Sequence, residues 1–106
     1  MKTKENAILV LGHIYDIDIE QGDEVRQSKL LEVTKLNEKE LTNALNYLIR
    51  MYMIEGEKLL DGEFITINIT ELGVSIVENK DQFKRNFGIE IGIPGVISTH
   101  WGVEQK

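Results

Sequence analysis

The 106-residue sequence has no cysteine, a single proline, a single tryptophan and no apolar run of membrane-spanning length. Without thiols there is no disulfide framework, no thiolate metal site and no cysteine nucleophile. The longest uncharged stretch, residues 91–103, is interrupted by Pro94 and three glycines and falls short of the roughly 20 apolar residues that cross a bilayer. Lys2 and Lys4 followed by apolar residues imitate a secretory leader, but His13 and Asp16 interrupt the run and no small-residue cleavage site follows. No signal peptide is expected, and the protein is expected to be soluble and cytoplasmic. Histidine is scarce as well. His13 and His100 have no second ligand at metal-binding spacing, Ser98 and His100 are too close in sequence to give triad geometry, and no glycine-rich phosphate loop follows a strand. Neither an enzyme nor a bound cofactor is therefore expected.

What is present is ordinary globular composition, 42% apolar and 28% charged, in a chain long enough for one domain with one core. The net charge of −6 counts against polyanionic partners, because phosphate binding rests on Lys and Arg. Its distribution is uneven. Residues 1–24 carry two basic and six acidic side chains, residues 51–78 one and six, and residues 79–106 four and three; residues 25–50 carry five and three. The longest predicted helix lies in that positively balanced segment.

This helix is NEKELTNALNYLIRMYMI, residues 37–54, with Leu41, Ala44, Leu45, Leu48 and Ile49 in one apolar stripe. Asn37 as N-cap and Glu40 three residues on form a capping box. Its other face carries Lys39, Thr42, Asn43, Asn46, Tyr47 and Arg50. Ahead of it, Lys4 to about Ile17 reads as a first helix with Ala7, Ile8, Leu11, Ile14 and Tyr15 inward and Leu9 and Val10 widening the stripe, so that more than one neighbour, in the chain or across a dimer, has to cover it. The carboxylate-rich DIDIEQGDE that follows is not a calcium loop, since Gln21 and Gln27 stand where glycine and glutamate are needed; it reads as a solvated turn around Gly22. SKLLEVT gives a short helix capped by Ser28, and a break at residues 34–36, with Leu36 plugging into the core, leads to the Asn37 cap.

Past the long helix the period changes to two. Residues 54–60 and 64–69 are predicted strands, with Ile65, Ile67 and Ile69 on one face and Phe64, Thr66 and Asn68 on the other, joined through Asp61-Gly62 as a hairpin turn with positive φ at both positions. Thr70 is expected to cap a fourth helix running to Phe87, with Leu72, Ile76, Val77, Phe83 and Phe87 near one face and Gly73 allowing close packing on the hairpin. Trp101, Phe83, Phe87 and Tyr52 read as core or interface residues. Residues 88–106 read as an apolar hairpin or arm, turning at Pro94-Gly95.

The sequence KLLEVTKLNEKELTNALNYLIRMYMIEGE, the DG hairpin and then ITELG resembles the winged helix-turn-helix family of DNA-binding domains, especially small bacterial and archaeal regulators. The resemblance covers about residues 4–79. It implies an α+β, mostly α fold: a three-helix core, a two-stranded wing and a fourth helix in a domain of residues 1–87, followed by the arm 88–106. It also implies a transcriptional regulator whose helix 38–53 reads double-stranded DNA in the major groove. Carried over by position, Lys39, Thr42, Asn43 and Asn46 face bases or phosphates; Arg26, Lys29, Lys35 and Arg50 anchor the backbone; and Lys58 is the basic wing residue. The chain departs from the pattern in its acidic wing, with Glu57, Asp61 and Glu63, and in Glu38 and Glu40 at the start of the reading helix. Those departures define the alternative, a winged-helix protein–protein interaction module that does not bind DNA. The apolar C-terminal segment, with the last helix, is expected to form a homodimer or to hold another protein.

Overall fold

Apolar side chains at positions 7, 8, 10, 11, 14 and 15 cover a broad face of a helix, and such a helix has to be enclosed. The computed structural model describes residues 2–88, and in it all six are 0–4% exposed. They lie on α1 (Lys2–Tyr15), followed by α2 (Gln27–Thr34), α3 (Glu38–Arg50), strands β1 (Ile54–Lys58) and β2 (Phe64–Ile69), α4 (Glu71–Glu78) and α5 (Lys80–Phe87). Helix α1 packs chiefly on α3 and also touches α2, α4 and β2. The second neighbour that its wide stripe calls for is thus supplied within the chain. The architecture is α+β and mostly helical, with one two-stranded antiparallel sheet. The expected arm beyond Gly88 lies outside the described residues.

The elements depart from the sequence reading where long-range packing overrides local signals. After Tyr15 the helix widens into a π turn, Asp16–Glu20. Asp18 on it accepts from the backbone N–H of Ile69 at 3.0 Å, so one carboxylate of the acidic segment has a structural partner on β2. Helix α2 begins one residue before Ser28, with Arg26 in extended conformation at its N-cap and no side-chain cap; Ser28 therefore lies inside the first turn and is not the cap. Helix α3 stops at Arg50, short of the expected residue 53, because Tyr52 adopts a left-handed φ of 62°. That turn sends Met53, fully buried, back into the core and leaves Tyr52 77% exposed, so of the two expected roles, core or interface, Tyr52 does not take the first.

The hairpin turns at Leu59–Gly62, where the N–H of Gly62 donates to the Leu59 carbonyl at 2.9 Å and that of Leu59 to the Glu63 carbonyl at 2.8 Å. Only Gly62 has positive φ, as in a three-residue hairpin loop closed by a left-handed glycine; Asp61 instead accepts from the Glu63 N–H. Strict alternation also fails. Lys58 pairs with Phe64 and Glu57 with Thr66, so Ile65 is an extra residue. This bulge lets Phe64 and Ile67 be buried together and pushes Ile65 out to 50% exposure.

Residues 70–87 form two helices. Asn79 is extended, ends α4 and caps α5 by accepting from the Gln82 N–H at 3.0 Å. The break turns Phe83 and Phe87 into the core while Leu72 stays 38% exposed. Thr70 caps α4 as expected, accepting from Gly73.

Two packing details carry predictions. A Cβ at Gly73 would lie 2.2 Å from the Met53 carbonyl oxygen and 2.7 Å from Ile69 Cγ1. Gly73→Ala should therefore cost about 3 kcal/mol, at the high end for overpacking, read as a lowered denaturation midpoint in urea. The Tyr15 hydroxyl donates to Glu78 Oε2 at 2.5 Å, joining α1 to α4; burial first, then the Glu78 hydrogen bond and charge, pushes its pKa up to about 12. Because the fold favours the protonated phenol, its contribution is complete below pH 10 and is lost as pH rises through 12. The stability gap between the parent and Tyr15→Phe should shrink over that window in urea titrations.

Candidate nucleic-acid interface

Helix α3 is anchored at both ends. At its start the Asn37 side chain accepts from the Glu40 N–H at 2.8 Å and Glu40 Oε1 accepts from the Asn37 N–H at 3.1 Å, a complete capping box. The preceding turn is held by Lys35 in left-handed conformation, φ 65°, and by Thr34, whose hydroxyl donates to the Leu30 carbonyl and accepts from the Leu36 N–H. Leu36 packs against the core. Leu41, Ala44, Leu45 and Leu48 are fully buried, which fixes the helix in rotation.

That rotation sorts the polar side chains. Lys39, Asn43, Asn46 and Arg50 follow one another at spacings of four, three and four, so they form one line opposite the buried stripe. Lys39, Asn43 and Arg50 are exposed and Asn46 half-buried. No acid stands in this line. Glu40 is folded back into the capping box, and Glu38 is turned aside into a groove of about 410 Å³ that it lines with Gln27, Ser28, Leu31, Thr42 and the hairpin tip residues Asp61, Gly62 and Glu63. No family model, curated protein or solved structure matches the chain. The interface therefore has to be judged on its own chemistry.

On that chemistry the nine residues singled out in the sequence divide. Lys39, Asn43, Asn46 and Arg50 are brought together. Lys35 is exposed in the turn just before α3. Thr42 is not in the line; it borders the acidic groove. Arg26 bonds to Glu24 at 3.0 Å in an exposed pair, and Lys29 lines a second groove with Arg26, Asp23 and Glu24, so these two cations stand among carboxylates. Lys58 lies 5.3 Å from the centre of the Phe64 ring, within cation–π range. Tyr47, on the opposite flank of α3, stacks on Phe87 with ring centres 6.3 Å apart and planes 12° from parallel, and so belongs to the core boundary.

Sequence reasoning missed the side chains that hold the hairpin beside α3. Gln27 Oε1 accepts from the Phe64 N–H at 3.0 Å and Asp18 from the Ile69 N–H, contacts spanning 37 and 51 residues that no local pattern marks. His13 is half-buried on α1, where burial lowers its pKa below 6.5 against an opposing pull from Asp16. Among the described residues no three His, Asp or Glu side chains converge to hold a metal ion, and no helix is long and apolar enough to cross a membrane.

Since the cap sets where the exposed line begins, Asn37→Ala should cost about 1 kcal/mol. Hydrogen exchange should speed up at the amides of Leu41 and Ala44 more than at those of Leu48 and Ile49.

Proposed function

We propose that the chain is a winged helix-turn-helix protein that binds double-stranded DNA through α3, acting in the cytoplasm as a transcriptional regulator. The observation that carries this reading is the line Lys39–Asn43–Asn46–Arg50: two cations and two amides, outward-facing and free of acid, on a helix that a short turn joins to α2. Amide side chains suit the donor–acceptor edge of adenine, and Lys and Arg suit guanine or phosphate. Lys35 adds a phosphate contact beside the first turn. The hairpin takes little part in this reading. Its tip presents Asp61 and Glu63, and its one cation, Lys58, stands over Phe64.

A homodimer is part of the proposal, with the C-terminal segment as its interface. Two-fold symmetry would then place two α3 helices about one DNA turn apart on a palindromic site. A monomer mass by multi-angle light scattering would exclude it.

The DNA reading is tested by titrating a labelled random-sequence duplex at about 50 and 200 mM salt. Binding should be measurable at the lower salt and should weaken steeply at the higher. For the tightest-binding duplexes recovered from the random pool, replacing Lys39, Asn43 and Asn46 together by alanine should reduce affinity at least about tenfold, from one lost phosphate contact and two lost base-edge contacts. Lys58→Ala should leave it within about twofold, since a single cation held over a ring supplies at most a weak phosphate contact. The reading fails if no binding is seen near 50 mM salt, or if the triple variant binds like the parent.

A further inference from the structure

The two edges of the hairpin are finished differently. On β2 the outward N–H groups of Phe64 and Ile69 donate to the side chains of Gln27 and Asp18, so that edge is engaged at both ends. The Asp18 contact also fixes the phase of the ladder. Because the Ile69 N–H points away from β1, the Ile54–Ile69 pair is of the non-hydrogen-bonded kind, Glu55–Asn68 and Glu57–Thr66 exchange the inner bonds, and the backbone of Ile54, Gly56 and Lys58 faces outward. Ile54 is buried, which leaves Gly56 and Lys58 as the open edge. Among the described residues no strand pairs with it.

The surroundings of this edge are unbalanced in charge and carry unshielded apolar surface. The hairpin bears Glu55, Glu57, Asp61 and Glu63, all exposed, against Lys58 alone. At its tip Leu60 is fully exposed and Leu59 is 48% exposed. Self-association through β1 is disfavoured, because antiparallel pairing of two copies sets glutamates against glutamates. The same glutamates attract an extended segment rich in Lys and Arg.

We propose that the β1 edge is a docking site for a basic, extended segment of another protein, added as a third strand to the hairpin. Its backbone bonds to Gly56 and Lys58, its cations meet Glu55 and Glu57 on the outer face, and an apolar residue at its end covers Leu59 and Leu60. The site lies off the exposed line of α3 and does not rest on the DNA reading, so either can fail alone.

The test uses the full chain, isotopically labelled, and a synthetic eight-residue peptide of alternating Lys and Val. Amide shifts should concentrate at residues 55–60, and exchange of the Gly56 and Lys58 amides should slow several-fold. Three controls separate the contributions. The same peptide N-methylated at alternate residues keeps its charge but cannot pair, and should bind at least tenfold more weakly. A Glu-Val peptide should not bind. Glu55→Gln with Glu57→Gln, both at exposed positions, should weaken the Lys-Val peptide at least threefold. No binding at millimolar peptide, equal binding of the N-methylated form, or shifts centred on the groove at Glu38 would each overturn the proposal.

Discussion

The carbonyl group of Met53 is the point on which the two halves of the structure meet. It accepts from the Thr70 N–H at 3.1 Å, and Gly73 approaches it so closely that no larger residue fits. One residue earlier, the Tyr52 carbonyl accepts from the Thr70 hydroxyl at 2.7 Å. The end of α3, the base of the hairpin and the start of α4 are therefore tied within three residues of chain on each side. The left-handed turn at Tyr52 is what brings them there. A non-glycine residue in that conformation is tolerated only where the surroundings demand it, and here they do: Met53 has to be buried directly after a helix whose last residue, Arg50, faces solvent.

From this junction the placement of the exposed surfaces follows. With its end fixed at Met53 and its start fixed by the capping box, α3 cannot rotate without unburying Leu41, Ala44, Leu45 and Leu48, a cost of several kcal/mol by the usual measure of about 2 kcal/mol per large apolar side chain. The line from Lys39 to Arg50 is thus held outward by the core. The hairpin is tied to the helices on its β2 side, where Asp18 and Gln27 supply two of the hydrogen bonds that a third strand would otherwise make. The open β1 edge is a consequence of that one-sided support.

What could be read from the sequence divides along the same boundary between local and distant causes. The Asn37–Glu40 capping box, the buried stripe of α3 and the Thr70 cap are legible because each is decided within a few residues or by a strong stripe; that Gly73 packs closely on the hairpin could be expected, but its closest contact, the Met53 carbonyl, is set by tertiary structure. The same local logic was available at Asn79, where Asn-Lys-Asp-Gln repeats the spacing of Asn-Glu-Lys-Glu at residue 37; it marks the start of α5, but the continuing apolar period hid it. The end of α3 was not legible, since Met51 and Met53 extend its pattern and only the tertiary demand on Met53 ends it. The bulge at Ile65 is likewise a compromise between alternation and the burial of Phe64. In the candidate site, the four-residue line on α3 could be read from helical spacing, whereas the engagement of Arg26 by Glu24, of Thr42 by the groove and of Lys58 by Phe64 depends on where neighbouring elements fall.

The acidic groove between α3 and the hairpin tip connects the two surface readings. Glu38, Asp61 and Glu63 line it without a cation, so a phosphate backbone lying along α3 would be repelled before it reached the hairpin. In the proposed DNA reading, the cations available on α3 and in the turn before it are Lys35, Lys39 and Arg50, all exposed. Duplex affinity grows with the number of phosphates neutralised, and a single copy with net charge −6 offers few cations on this face for that purpose. The DNA proposal therefore depends physically on the dimer proposal, because a second copy of the α3 line would double the cations that face the backbone.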